Sequence, residues 1–229
     1  MDARFFTAWI EEAARSLRDG RDELTRLDAA IGDADHGSNL DRGFTEAVRA
    51  LAERRPATPG AVLALVGGTL IRKVGGASGP LYGTAFREAG KALGETPEVS
   101  PAGFAAALEA GVAGVRRLGS AAEGDKTMVD ALAPAARALA EAVQDGRAAA
   151  ETRAGAGRDP SETGRGDGGL ARALEAAAAA AEAGAEATVP MQARKGRASY
   201  LGPRSVGHLD PGAASAALIL RALHTVASR

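Results

Sequence analysis

The chain has 229 residues, is 45% hydrophobic but only 3% aromatic, and carries a formal net charge of -1 at pH 7. This length allows one large domain or two small ones. The near-neutral charge argues against a nucleic-acid-binding protein, and the lack of cysteine excludes disulfides, thiolate catalysis and cysteine-ligated metals. No apolar stretch approaches the roughly 20 residues that span a bilayer, and the acidic, amphipathic start is unlike a signal peptide. We therefore expect a soluble, cytoplasmic protein.

Apolar residues recur at helical spacing, and a core rich in Ala, Leu and Val favours closely packed helices. Amphipathic helices are predicted around Phe6 to Leu17, Phe44 to Leu51 and Phe104 to Val115. Five more are predicted at 61–73, 84–94, 127–144, 170–187 and 212–227. The prediction is an all-α fold of about eight helices, with Pro134 either delaying or kinking the helix at 127–144.

The segment between Gln144 and Gly169 is poor in large apolar residues and rich in Gly, Arg and small polar groups. Such a segment buries too little surface to offset the entropy lost when it becomes ordered. We predict a mobile loop at 145–169, with a domain boundary as the alternative. The similar helices on both sides favour a single domain over residues 1–229.

The first polar segment, LDAAIGDADHGSNLDRGF at 27–44, places three aspartates within eight residues: Asp28, Asp33 and Asp35. If Gly32 ends a helix, the chain can fold back and the three carboxylates can converge. Converged carboxylates require a cation, and oxygen ligands without cysteine suit Mg²⁺ or Ca²⁺. An EF-hand does not fit, because the sixth and twelfth positions from Asp33 are Ser and Phe. The alternative is that each aspartate only caps a helix or forms a turn.

The second segment, VGGASGPLYGTAF at 74–86, contains closely spaced glycines and Ser78 just before a predicted helix. Glycines let backbone N–H groups approach a ligand, and a following helix N-terminus favours phosphate. Glycines that only permit tight helix packing are the alternative. No strand precedes the segment, so it is not a dinucleotide-binding fingerprint.

The third segment, GSAAEGDKT at 119–127, has the glycine spacing of a P-loop. Asp125 intervenes before Lys126, and a helix rather than a strand precedes the segment, so we reject a P-loop. A polar loop with Thr127 as a helix N-cap is the better interpretation.

The fourth segment, MQARKGRASYLGPRSVGHLDPGA at 191–213, holds a basic cluster that suits phosphate oxygens. Asp210 and Pro211 are typical of the N-cap and first residue of a helix. A solvated charge run before an ordinary cap is the alternative. Of the three histidines, His36 and His208 lie in polar segments and are candidates for ligand contact, whereas His224 is expected to be structural. Taken together, the four segments suggest a metal-bound phosphate ligand.

These four segments, in this order, resemble the nucleotide-binding L subunit of dihydroxyacetone kinase, and the resemblance spans nearly the whole chain. It implies a barrel of eight antiparallel helices with the nucleotide at one end. By resemblance, Asp28, Asp33 and Asp35 hold two Mg²⁺ ions that bridge the phosphates of ADP or ATP. The nucleotide-binding residues that it implies are His36, Gly37, Ser38, Asn39, Ala77, Ser78, Gly119, Met128, Arg197, Asp210, Pro211 and Gly212.

The resemblance also implies partners. Fused, ATP-dependent kinases of this kind carry a substrate-binding K domain on the same chain, and we expect none here. A separate L subunit resembles the phosphotransferase-system type, in which bound ADP is rephosphorylated in place by a phosphohistidine on an M subunit. The γ-phosphoryl group then passes to dihydroxyacetone held on a K subunit, so no substrate base is expected on this chain.

Two further functions stay open from the sequence. One is an L subunit of a kinase that is ATP-dependent or that acts on another small ketose, such as a tetrulose. The other is a nucleotide-loaded module that regulates another protein without catalysis. A fatty-acid-kinase-type domain is disfavoured, because GGASGPLYG and GRASYLGPRSVGHLDPGA resemble the sugar-kinase branch.

Overall fold

The computed structural model describes residues 1–155 and 167–229, and these ranges contain nine α-helices and one 3₁₀-helix. The α-helices are α1 (Ala3–Asp19), α2 (Arg21–Ile31), α3 (His36–Arg54), α4 (Pro59–Lys73), α5 (Ser78–Leu93), α6 (Pro101–Gly119), α7 (Val129–Gly155), α8 (Asp167–Glu186) and α9 (Pro211–Ala227). The 3₁₀-helix spans Arg197–Ser205. Extended pairing in the described residues is limited to one bridge, between Asp2 and Glu98. None of the described helices combines the length and apolarity that crossing a bilayer requires.

Eight of these helices form a closed ring, as the predicted barrel requires. Each helix from α3 to α9 packs against the next along the chain, and α1 closes the ring by packing against both α3 and α9. Short connections join the consecutive helices from α3 to α7, which makes these packed neighbours antiparallel. The additional helix α2 lies against α3, α9 and the 3₁₀-helix. The apolar periodicity did not reveal α2, because its buried positions include a carboxylate, Asp28.

Five of the eight aromatic residues are gathered in the centre of the ring. Rings from α1, α3, α5 and α6 pack mainly edge to face, with centroids 5.6 to 6.2 Å apart, and belong to Phe6, Trp9, Phe44, Phe86 and Phe104. The Trp9 Nε1–H donates a 2.8 Å hydrogen bond to the carbonyl oxygen of Ile219, which joins α1 to α9. The hydrophobic core therefore has large side chains at the centre of the ring and Ala between neighbouring helices.

Helix ends follow the expected capping chemistry. Side chains of Asp2, Thr58, Ser100 and Asp210 accept hydrogen bonds from first-turn N–H groups of α1, α4, α6 and α9. Proline opens the last three of these helices. The predicted roles of Asp210 and Pro211 as N-cap and first residue of α9 are confirmed, and α2 ends at Gly32 as expected.

Two helix boundaries were predicted wrongly. Helix α5 begins at Ser78 rather than near residue 84, so the second polar segment runs directly into it. Helix α7 passes through Pro134 and continues to Gly155, and α8 starts at Asp167. The predicted loop at 145–169 is therefore helical at both ends. Ala and Arg favour helix, and extending an existing helix avoids the cost of nucleation. Residues 156–166 of this prediction lie outside the described residues.

Candidate functional site

A cavity of about 490 Å³ opens at one end of the helical ring. The first residues of four helices lie at its wall: His36 of α3, Ser78 of α5, Val129 of α7 and Pro211 of α9. Helix N-termini carry partial positive charge and unpaired N–H groups, and four of them around one cavity favour an anionic ligand. This convergence explains why polar segments that are far apart in sequence resemble one phosphate site.

Nine of the twelve residues implied to bind nucleotide line this cavity. They are His36, Ala77, Ser78, Gly119, Met128, Arg197, Asp210, Pro211 and Gly212. The cavity also has an apolar wall that includes Ile31, Leu81, Val115 and Leu118. A cavity with one polar end and one apolar wall suits a ligand that joins a charged group to a flat ring.

The remaining three residues, Gly37, Ser38 and Asn39, do not line the cavity. Gly37 packs against α2, where an added Cβ would lie 2.0 Å from the Arg21 carbonyl oxygen. The Ser38 hydroxyl donates to the Asp35 carbonyl oxygen at 3.0 Å. The Asn39 side-chain oxygen accepts a hydrogen bond from Arg42. In the described structure these three residues form the first turn of α3, next to the aspartates of the first polar segment.

The three predicted aspartates converge. Asp28, Asp33 and Asp35 each offer one carboxylate oxygen, and these oxygens lie within 4.8 Å of one another. The convergence arises because α2 ends at Gly32 and the chain turns back, with Ala34 in the left-handed region at φ 63°. Asp28 is buried and also accepts the N–H groups of Asp35 at 2.9 Å and of His36 at 3.2 Å.

The donor set of this cluster fits a hard divalent cation. All three ligand atoms are carboxylate oxygens, which Mg²⁺ prefers, and neither sulfur nor imidazole is among them. The guanidinium of Arg197 lies 3.1 Å from an oxygen of Asp33 and offsets part of the negative charge. Both residues are largely accessible to solvent, so this contact can exchange for a ligand without the cost of opening a buried ion pair. The cluster and the phosphate-favouring helix ends are adjacent, since His36 follows Asp35.

A buried hydrogen-bond chain links His36 to α5 and α9. Its Nδ1 lies 3.1 Å from the Ser78 hydroxyl, and its Nε2 lies 2.8 Å from the Ser215 hydroxyl. Ser215 in turn lies 2.6 Å from the Tyr82 hydroxyl, which donates to the Gly212 carbonyl oxygen at 3.1 Å. Burial lowers the pKa of His36, although the charges of the neighbouring aspartates oppose this shift. A neutral imidazole has one donor and one acceptor nitrogen, and here each nitrogen has a hydroxyl partner. The two hydrogen bonds together fix the orientation of the ring.

Sequence reasoning did not identify Tyr82 or Ser215. Tyr82 stands four residues after Ser78 and therefore on the same face of α5, which is a signal that helical spacing could have given. Ser215 is one small residue among several in an Ala-rich helix, and nothing in the sequence distinguishes it.

The third polar segment is held by an acidic residue of the following helix, α7. Asp130 accepts the N–H groups of Gly124 and, at 2.8 Å, of Thr127. The Thr127 hydroxyl accepts the N–H of Val129 at 3.2 Å, but α7 begins at Val129, so Thr127 lies one residue before the N-cap position rather than at it as predicted. Helix α6, not a strand, precedes the segment, which agrees with rejecting a P-loop. In the adjoining part of the cavity wall, burial raises the pKa of Asp210 to about 7.

The other two histidines differ in environment. His208 is exposed, and its contribution to the described contacts is its backbone carbonyl, which accepts a hydrogen bond from Lys126. His224 lies on α9 with its Nδ1 2.9 Å from a carboxylate oxygen of Glu175 on α8. The expected structural role of His224 agrees with this contact between helices.

The chain is similar to a known domain family and to subunits of dihydroxyacetone kinases. The family model described as the DAK2 domain matches residues 30–163 and 157–225. The chain is 36% identical over 215 residues to the ADP-binding subunit DhaL of PEP-dependent dihydroxyacetone kinase 1 of Listeria innocua. It is 37% identical over 215 residues to the corresponding subunit of Escherichia coli. In both comparisons 94% of this chain matches 92% of the relative.

A solved structure has the same fold. The dihydroxyacetone kinase of C. freundii, crystallised with AMP-PNP and Mg²⁺, superposes with a TM-score of 0.66 and 28% identity over 98% of this chain. The match covers 34% of the C. freundii chain, so this chain spans about a third of that enzyme. The matched part of a nucleotide- and magnesium-binding kinase thus has the helical fold seen here.

Proposed function

The chain belongs to the DAK2 domain family, and from this premise we propose that it is the ADP-binding subunit of a phosphoenolpyruvate-dependent dihydroxyacetone kinase. It acts in the cytoplasm as a phosphotransferase, and it passes a phosphoryl group from its nucleotide to dihydroxyacetone held on a partner K subunit. A phosphohistidine on an M subunit then rephosphorylates the bound ADP. The observation that carries this proposal is the cavity in which predicted residues from six separate places along the chain meet beside three converged carboxylates.

The polar end of the cavity suits the phosphates. Asp28, Asp33 and Asp35 would hold Mg²⁺, which when bound neutralises charge on the phosphoryl group being transferred. The starts of α3 and α5 both lie at the cavity wall, and N–H groups of a helix start would donate to phosphate oxygens there. Arg197, released from Asp33, adds a positive charge at the mouth of the cavity. In phosphoryl transfer, positioning and charge stabilisation supply most of the catalysis, so these residues need no general base among them.

The apolar end suits the adenine. Met128 and Gly119 face the same cavity as Leu81 and Val115, and together they form a wall against which a flat ring can pack. The turn of Asp210, Pro211 and Gly212 forms another part of the wall. Burying a base here would slow dissociation of the nucleotide, as a subunit that recharges its nucleotide in place requires.

An ATP-dependent kinase, or one acting on another small ketose, is the second candidate. The match to a longer dihydroxyacetone kinase of C. freundii supports this candidate, because the same helical unit is part of a larger chain there. In that case the nucleotide would exchange with free ATP. A regulatory module would bind nucleotide and transfer nothing.

Reconstitution distinguishes these functions. The protein is mixed with the K subunit of a PEP-dependent dihydroxyacetone kinase and a ketose, and either free ATP or phosphorylated M subunit is added as donor. Formation of dihydroxyacetone phosphate with phosphorylated M subunit, at a rate well above that with ATP, is expected. Turnover with ATP alone would favour the second candidate, and nucleotide binding without turnover on any ketose would favour the regulatory module.

A further inference from the structure

A fully buried lysine, Lys126, forms part of the cavity wall and links separate segments of the chain. Only 1% of its surface is exposed. Its ammonium group donates hydrogen bonds to the backbone carbonyl of Thr188 at 2.7 Å and to that of His208. These acceptors lie 62 and 82 residues further along the chain. A buried ammonium is costly unless its donors are satisfied, so the geometry of these two contacts is tightly constrained.

The backbone around this lysine is constrained as well. Lys126 has φ 61°, in the left-handed region that residues with a side chain adopt only when their surroundings hold them there. The preceding carbonyl, that of Asp125, accepts the N–H of Arg194 at 3.0 Å. Two consecutive residues thus hold the loop before α7 to the chain that follows α8 and to the turn that precedes α9.

The segments joined in this way carry the wall of the cavity. Met128 follows Lys126 by two residues, and Asp210 follows His208 by two residues. Thr188 contributes a second contact, because its hydroxyl accepts the N–H of Asp210 at 2.9 Å. Loss of the ammonium would leave the buried Thr188 carbonyl and the partly buried His208 carbonyl without this donor and would weaken the link between the loop before α7 and the turn that begins α9.

We propose that Lys126 is a positioning residue, whose ammonium group fixes two walls of the cavity relative to each other and thereby sets how slowly bound nucleotide leaves. The identity of the ligand rests on the proposed function, whereas the role of the lysine rests on the contacts above. Residues that contact the ligand are held by Lys126; the lysine itself performs no step of the transfer.

The chain contains no cysteine, which permits a precise test. Lys126→Cys is alkylated while unfolded, either with 2-bromoethylamine or with bromoethane, and is then refolded. The first product restores a lysine-like side chain with its ammonium group, and the second has a similar stem without the charge. Lys91→Cys, at an exposed position on α5, receives both treatments as the matched control. Release of a fluorescent ADP analogue from the Mg²⁺ complex is followed by chase with excess ADP, and thermal unfolding is measured without nucleotide.

We expect the aminoethyl product to release nucleotide at about the wild-type rate and the ethyl product to release it at least about tenfold faster, the effect of losing one charge-assisted hydrogen bond. Both Lys91 products should match wild type. Equal release rates for the two Lys126 products would overturn the proposal. So would an ethyl product that fails to refold while the aminoethyl product refolds, because the ammonium would then serve the fold as a whole.

Lys126→Met, expressed and purified without refolding, gives an independent comparison with wild type and should also release nucleotide faster. A Lys126→Met protein with wild-type release would overturn the proposal even if neither alkylated product refolds. If the wild-type protein itself binds no Mg²⁺-ADP, the proposed function fails and this inference fails with it. If wild type binds and the variants release at the wild-type rate, only the inference fails.

Discussion

Asp35→Asn tests whether the carboxylate cluster exists to hold a cation. The Asp35 side chain makes no capping hydrogen bond, so the amide leaves the start of α3 intact except for a lost charge at the helix N-terminus. That loss costs about 0.3 to 1 kcal/mol. Its oxygens lie within 4.8 Å of those of Asp28 and Asp33. At this distance each like-charge pair costs about 1 kcal/mol in a water-like dielectric, so relieving two pairs gains about 2 kcal/mol.

Without a metal, Asp35→Asn should therefore be more stable than wild type by about 1 kcal/mol, which raises the melting temperature of a chain of this size by about 2 to 4 °C. With Mg²⁺ and ADP at about 100 times the dissociation constant, binding stabilises wild type by about 2.7 kcal/mol. The variant should lose most of this stabilisation. The difference in melting temperature between the variant and wild type should thus be positive without metal and negative with Mg²⁺-ADP.

Thermal unfolding in EDTA and in Mg²⁺-ADP measures both signs. Asp41→Asn is the matched control: it removes a carboxylate from α3 that pairs with Arg18 outside the cluster, and it should resemble wild type in both conditions. If Asp35→Asn is less stable than wild type by the same amount with and without Mg²⁺-ADP, the carboxylate only supports the helix end, and the cation site is refuted.

Three other predictions follow from the site. The protein should retain adenine nucleotide through purification, measured by chromatography after denaturation, whereas an empty cavity that exchanges ATP rapidly would favour the ATP-dependent candidate. Ser215→Ala should lower the rate of phosphoryl transfer at least about tenfold with little change in the helical circular dichroism bands, because His36 loses the partner that orients its ring; an unchanged rate would show that this contact is dispensable. Burial raises the pKa of Asp210 from 3.8 to about 7, so the folded protein binds the carboxyl proton more tightly than the unfolded chain does. The free energy of unfolding of the nucleotide-free protein should therefore fall by at most about 4 kcal/mol as pH rises from 4 to 7. Asp210→Asn should remove that slope, and denaturant titrations that give the same slope for both proteins would contradict the assignment.

Local patterns in the sequence predicted much of the fold and of the site, because they depend on residues close together in the chain. Apolar spacing predicted all eight ring helices, with errors in the boundaries of α5 and α7, and Gly32 correctly predicted the reversal that gathers Asp28, Asp33 and Asp35. The extension of α7 to Gly155 was missed, since the sequence gives no estimate of how far an established helix can continue without burial.

The parts that could not be predicted depend on contacts between distant segments. Lys126 lies within the rejected P-loop pattern, and only the folded chain shows that its ammonium donates to carbonyl groups of Thr188 and His208. Ser215 is likewise indistinguishable from its neighbours until α9 closes the ring against His36. The role of a polar side chain inside a helical barrel follows from the groups to which it hydrogen-bonds. When those groups lie far away in the sequence, no local periodicity indicates the contact.

A single-turnover transfer measures the central claim most directly. The protein is loaded with Mg²⁺ and ATP labelled at the γ-phosphate, freed of unbound nucleotide, and mixed with K subunit and dihydroxyacetone in the presence of excess unlabelled ATP. We predict that the label appears in dihydroxyacetone phosphate in amounts that match the bound nucleotide, that the excess ATP does not dilute it, and that ADP remains on the protein. Label that stays on the protein, or product that carries phosphate only from the unlabelled ATP, would contradict the account of a nucleotide that is held in the cavity and used in place.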